Sequence, residues 1–287
     1  PYSFEDLSNL LHLSIYLNYL KSIDLFVFYG LNNVRIINLA SNSIEKISIE
    51  PFKFLIKLSY LILKNNQIEI IKLHPTINLR VIQIIELSFQ KIKYLEPYSI
   101  SNLENLKKIS LDGNFLSIIY KFTFFNLTDL NELDLSNNQI VEIESSSFIN
   151  APKLKVIKFK NNRLRTLKNN FLNQLPSLET IDFSQNMIAH VTNRFFSDLK
   201  NLKKIDLSIN KLFKLEFDTF TGLKNTLKIL KINDNKIQKV KNFYFADLNL
   251  LEELYLQKNQ ISSLENESFI NLRLLKILDL SNNMLFN

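Results

Sequence analysis

No cysteine occurs in this chain, which excludes disulfides, cysteine zinc sites and thiol catalysis within its 287 residues and leaves no redox compartment to read. Glycine is almost as scarce. Gly30, Gly113 and Gly222 stand far apart, so there is no phosphate-cradling loop and no nucleophile elbow, and no Gly- or Pro-rich linker separates domains. The three histidines, His12, His74 and His190, fall at unrelated positions and do not converge on a ligand set or a general base. Paired acids such as Glu252 and Glu253 flank a strand, with no apolar pocket to raise a pKa. No nucleophile, base and orienter can be assembled, so the expectation is a noncatalytic chain without cofactor or metal. There is also no initiating Met, no signal-peptide pattern and no apolar run long enough to cross a bilayer.

What the chain has is a beat. Asn18, Asn42, Asn66, Asn114, Asn138, Asn162, Asn186, Asn210, Asn235, Asn259 and Asn283 recur every 24 residues, with Gln90 in place of Asn and one spacing of 25 between Asn210 and Asn235. Apolar positions repeat around each amide as LxxLxLxxNxI, followed by a further aliphatic and a Phe. Leu130, Leu133, Leu135, Asn138, Ile140, Ile143 and Phe148 show the full pattern. The two Leu of LxL share one face of a short strand, which cannot bury that face until neighbouring repeats stack on it. After the strand the chain turns inside the stack, and an amide can donate to and accept from the backbone groups buried there.

This pattern and period resemble the leucine-rich-repeat family, in the 24-residue class usual in animal ectodomains such as Toll-like receptors, Slit and chaoptin. The resemblance implies an α/β-type repeat solenoid, a curved horseshoe with a parallel β-sheet on the concave face and an irregular or short helical convex side. Residues 1–287 are expected to form a single array of about twelve repeats. Phe28, Phe52, Phe124, Phe148, Phe196, Phe220, Phe245 and Phe269 should stack into a spine, interrupted at Thr76, Ile100 and Leu172. Gln90, one methylene longer, should adjust its turn without breaking the stack. The extra residue should appear as a small bulge near Asn225 and Thr226. The array begins in mid-repeat and stops before its last Phe column, so an excerpt lacking both polar caps is expected.

Function should lie on the residues that flank the core Leu pairs of the strands. Tyr16, Ile36, Tyr60, Ile62 and Ile84 form an apolar and aromatic cluster there and are the first candidate partner-binding set, although strand propensity alone also places Ile and Tyr on strands. The central position of later repeats runs Asp134, Lys158, Asp182, Asp206, Lys231, Tyr255 and Asp279, a pattern that fits a charge ladder across strands. The seventh repeat is the most basic stretch, and Lys155, Lys158 and Lys160 are candidate contacts for an anionic partner. Acids such as Glu132, Asp134, Glu179 and Asp182 break every basic column, so the net charge of +7 argues weakly for nucleic acid. Asn126 and Asn266 head sequons and are candidate glycosylation sites if the chain is secreted. The expected partner is a protein ligand or a sister leucine-rich-repeat chain, with homo- or heterodimers open. The expected setting is extracellular or at the cell surface, with an innate-immune receptor and an adhesion protein equally compatible. The alternative is an intracellular scaffold or substrate adaptor built from the same repeats.

Overall fold

A computed structural model describes residues 2–48, 50–72, 79, 81–168 and 171–286. It shows a parallel-strand solenoid with almost no helix, in two compact units, Pro1–Leu154 and Lys155–Asn287. In the N-terminal unit the sheet strands are His12–Ser14, Ile36–Asn38, Tyr60–Ile62, Ile84–Glu86, Lys108–Ser110 and Glu132–Asp134. In the C-terminal unit they are Val156–Lys158, Thr180–Asp182, Lys204–Asp206, Ile229–Lys231, Glu253–Tyr255 and Ile277–Asp279. Register within each unit is one repeat per strand, so that Ile37 pairs with Leu61 and Leu61 with Ile85, and all three side chains are fully buried.

From Asn42 onward, an amide at the turn ties a repeat to the one before it. Asn66 donates through Nδ2 to Leu63 O at 2.7 Å in its own repeat and to Leu39 O at 3.0 Å in the preceding one, while its Oδ1 accepts the Ile44 N–H at 3.0 Å. Asn114, Asn138, Asn210, Asn235 and Asn259 make the same three bonds at their own turns. A single side chain thus satisfies three backbone groups that no strand partner reaches. Gln90 keeps both links to the preceding repeat, donating to Leu63 O at 2.6 Å and accepting from Ile68 N at 3.2 Å. Its longer stem moves the third bond from Leu87 to Ser88 O at 3.3 Å. The turn shifts and the stack continues, as its extra methylene suggests.

The turn makes a second demand that the apolar pattern does not display. The residue before each amide is left-handed throughout, including Asn65, Asn137, Gln185 and Lys258, but also Leu17, Phe89 and Ile209, which pay a steric penalty for it. At Gly113 the demand is doubled. Its φ is +68°, and an added Cβ would lie 2.5 Å from the Phe89 ring, which rests against this turn.

The phenylalanine spine forms within each unit. Phe28 and Phe52, and Phe124 and Phe148, have ring centroids 5.4 Å apart, and Phe196, Phe220, Phe245 and Phe269 continue at 6.1 to 6.3 Å. Ile100 and Leu172 fill their places in the column as buried aliphatics, and Thr76 lies outside the described residues. Beside Leu172, Phe171 packs edge-on against Phe159, Phe183 and Phe195, which builds a second aromatic cluster in the C-terminal unit. The back of the N-terminal unit also carries a short parallel sheet, Ile100–Ser101, Phe124–Phe125 and Phe148–Ile149, where irregular or helical structure is the expectation. The one short helix described is the 3-10 turn Glu50–Phe52.

The inserted residue sits where the spacing places it. Other repeats close this corner with an i to i+3 bond, as from Leu202 N to Leu199 O. Here both Thr226 N and Leu227 N donate to Leu223 O, so the corner widens to an i+4 turn and the strand Ile229–Lys231 resumes register with Lys204–Asp206.

A candidate protein-binding face

The strands present three outward columns, at the positions before, between and after the two buried residues of LxL. Ile36, Tyr60 and Ile84 are direct register partners in the first column, and Ile62 stands in the second between Asn38 and Glu86. Tyr60 is 37% exposed and the three isoleucines are half-buried, so these four side chains make an apolar patch across three neighbouring strands. Tyr16 is placed apart from them. It follows the end of the strand His12–Ser14, and Ile36 has His12 as its register partner on that side. With 54% of its surface exposed, Tyr16 belongs to the third column beside Ala40, because the left-handed residue Leu17 turns the chain away immediately after it. Counting residues that flank core leucines merges columns which the register separates.

In the C-terminal unit the corresponding face is charged. Lys158 is in register with Asp182, Asp182 with Asp206, and Asp206 with Lys231. The aspartates also serve their own turns: Asp182, Asp206 and Asp279 each accept the backbone N–H two residues on, from Ser184, Ser208 and Ser281, at 2.8 to 3.0 Å. Asp134 does the same for Ser136 in the other unit. Hydrogen bonds from the Ser281 side chain and then its backbone hold the Asp279 carboxyl below its ordinary range. Lys231 lies over the Tyr255 ring, 5.1 Å from its centroid.

Inter-repeat ion pairs run along the strand entrance instead. Glu179 bridges Lys203 at 2.7 Å and Lys155 at 3.6 Å, and Glu252 bridges Lys228 and Lys276. The Lys203 hydrogen bond, with the charges of Lys203 and Lys155, keeps the Glu179 carboxyl below the usual range, and Lys276 with Lys228 does so for Glu252. Of the basic candidates, Lys155 is therefore partnered and Lys158 faces an aspartate, while Lys160 is exposed past the strand end. Lys153 pairs with Asp129 at 2.6 Å within the N-terminal unit.

The two sequons differ in geometry. Asn126 belongs to an amide ladder, donating through Nδ2 to Asn102 Oδ1 at 2.8 Å and accepting from Asn150 Nδ2 at 2.6 Å. The nitrogen that would carry a glycan thus gives one of its two N–H groups to the ladder. Asn266 lies exposed in a turn, and its side chain makes no hydrogen bond among the described residues. His12 is exposed on a strand, His190 packs edge-on against Phe213 at 4.9 Å, and His74 lies outside the described residues. Among the described residues no three His, Cys, Asp or Glu side chains could hold a metal ion, and no helix is long and apolar enough to cross a membrane.

The family model for leucine rich repeats matches residues 32–89, 80–140, 128–188 and 225–285, which is well over half of the chain. The chain belongs to the leucine-rich-repeat family. Among solved structures, a chain of the Drosophila Toll–Spatzle complex is similar at 23% identity and a TM-score of 0.87, covering 98% of this chain and 37% of that one. An internalin from Listeria monocytogenes is similar at 22% identity and a TM-score of 0.64, covering 99% and 84%. A chain of the LRIM1/APL1C complex follows at 20% identity and 0.63, covering 87% and 49%. This leucine-rich-repeat chain thus spans little more than a third of the Toll complex chain, and at these identities the likeness is one of fold. No curated protein sequence matches it.

Proposed function

We propose that this leucine-rich-repeat chain is a noncatalytic protein-binding module of an extracellular receptor or cell-adhesion protein, engaging a protein ligand or a sister repeat chain through the sheet face of its N-terminal unit. The observation that carries this reading is the in-register row Ile36, Tyr60 and Ile84 with Ile62 beside it, an apolar patch on a face the core does not use. Strands locked by buried asparagines offer a preorganised surface that binds with little change of shape. The similar structures named as complexes, Toll with Spatzle and LRIM1 with APL1C, support a protein as the partner. In a secreted setting the exposed side chain of Asn266 would be the acceptor in preference to Asn126, which is held in the amide ladder.

The test is to probe an array of secreted, cell-surface and intracellular proteins with the wild-type chain and with Tyr60→Ala/Ile62→Ser. A secreted or cell-surface ligand whose affinity falls roughly tenfold or more in the double variant is the expected result. Unchanged affinity would sink the sheet-face reading, and ligands confined to intracellular proteins would favour a scaffold. Mass spectrometry of the chain secreted from eukaryotic cells should show a glycan lost with Asn266→Gln and unaffected by Asn126→Gln.

A further inference from the structure

The back of the C-terminal unit holds a cleft of about 190 Å³, away from the sheet face, between the turns around residues 217–221 and 243–247. Phe220 and Tyr244 are buried at its floor, Thr221 and Ala246 line it, and Phe217 and Phe243 stand at its rim with 69% and 44% of their surfaces exposed. Phe243 is left-handed at φ 63°, so an aromatic side chain is held open to solvent at a backbone position that disfavours it. Asp247 lies on the same rim, exposed and without an ion-pair partner among the described residues. Burial first, then the charges of Glu216 and Glu265, raise the Tyr244 hydroxyl above its ordinary pKa, although Glu216 is itself paired with Lys214 at 2.7 Å.

The N-terminal unit shows what such a cluster attracts. There the aromatic side chains Phe26, Tyr29 and Phe54 meet on the back, and Lys53 places its ammonium 5.1 Å from the Phe54 centroid and 5.9 Å from that of Phe26. Carried forward by the repeat spacing, the column of Lys53 reaches Thr221 and Ala246, two short side chains that leave the cleft open. No cation of the chain lies over Phe217 or Phe243 among the described residues. Aromatic faces beside an unpaired carboxylate favour an organic cation over a neutral group of the same shape.

We propose that this cleft is a second binding site, which receives the ammonium or guanidinium of a lysine or arginine side chain from a protein partner. The ring faces of Phe217 and Phe243 hold the cation, and Asp247 supplies the countercharge, as Glu50 does at 3.7 Å for the resident Lys53. The site is separate from the sheet face, so the two can fail independently.

The probes are tetramethylammonium and its neutral counterpart tert-butanol, followed by saturation-transfer NMR on the whole chain, with N-acetyl-arginine amide as competitor. Tetramethylammonium is expected to take up saturation and to be displaced by the arginine amide, with a roughly three- to tenfold weaker response from tert-butanol. Phe217→Leu and Asp247→Asn, both at exposed positions and checked for unchanged circular dichroism, should each weaken the cation signal by a similar factor, while Tyr60→Ala/Ile62→Ser leaves it intact. Equal signals from the cation and the alcohol, or a cation signal unmoved by both cleft variants, would overturn the proposal.

Discussion

Ile36, Tyr60 and Ile84 in the N-terminal unit occupy the same strand position as Thr180, Lys204 and Ile229 in the C-terminal unit, yet the residues one step inward, Ile37, Leu61 and Ile85 or Ile181, Ile205 and Leu230, are alike and fully buried in both. The inward position is fixed by packing against the repeat on either side, whereas the outward one touches nothing that the stack requires. The N-terminal unit spends that freedom on an apolar patch, whereas the C-terminal unit mixes Thr180, Lys204 and Ile229 there and carries its charge at the central position, Lys158, Asp182, Asp206 and Lys231, and in ion pairs along its strand entrances. Difference between repeats therefore points to function more directly than likeness does.

If the inward half of this comparison is right, Asn66→Ala and Asn210→Ala should damage their separate units to a similar degree. Each removes a side chain that serves three buried backbone groups, and a loss of about 3 kcal/mol or more is expected in urea unfolding. A loss in one unit only would break the equivalence of the cores. Phe124→Ala should cost about 3 to 5 kcal/mol by emptying a fully buried place in the spine. Tyr60→Ala, on the face, should cost less than about 1 kcal/mol in the same assay.

Most of the core half was legible in the sequence. A 24-residue recurrence of Leu, Asn and Phe dictates parallel strands, an internal amide and a stacked spine, and even the widened corner at Leu223 follows from the single 25-residue spacing. The left-handed residue before each amide was not legible, because the position admits Asn, Ser, Lys, Phe and Ile alike and carries no apolar signature. Nor was the separation of Tyr16 from Tyr60, since both flank core residues and only register tells the columns apart. The ion pairs escaped for a related reason. Lys155, Glu179 and Lys203 are 24 residues apart in the chain, so the run of basic residues in the seventh repeat drew attention to one repeat when the pairing crosses three. The cleft at Thr221 and Ala246 shows only as a missing bulk at two positions, which no motif records.

Two smaller changes sharpen the account. Ile209→Asn relieves a β-branched residue of a left-handed conformation and should stabilise the C-terminal unit by about 1 kcal/mol, read as a raised melting temperature. Glu179→Gln should cost under about 1 kcal/mol and less still in high salt, because the bridge it breaks is exposed. The folded carboxyl of Glu179 titrates below its unfolded value, so its contribution is complete above the ordinary carboxylate range and disappears as pH falls through the lower, folded value. Wild type and Glu179→Gln should accordingly converge in stability under acid, and a difference that persisted there would assign the glutamate another role.

The face itself is tested most directly by hydroxyl-radical footprinting of the chain with and without a bound protein ligand, read by mass spectrometry at single aromatic residues. Tyr60 is accessible in the free chain and should be strongly protected at saturation, while Phe213, which lies off the sheet face in the C-terminal unit, keeps its labelling. Tyr60 labelled equally in the free and saturated chain would contradict the assignment of binding to this face.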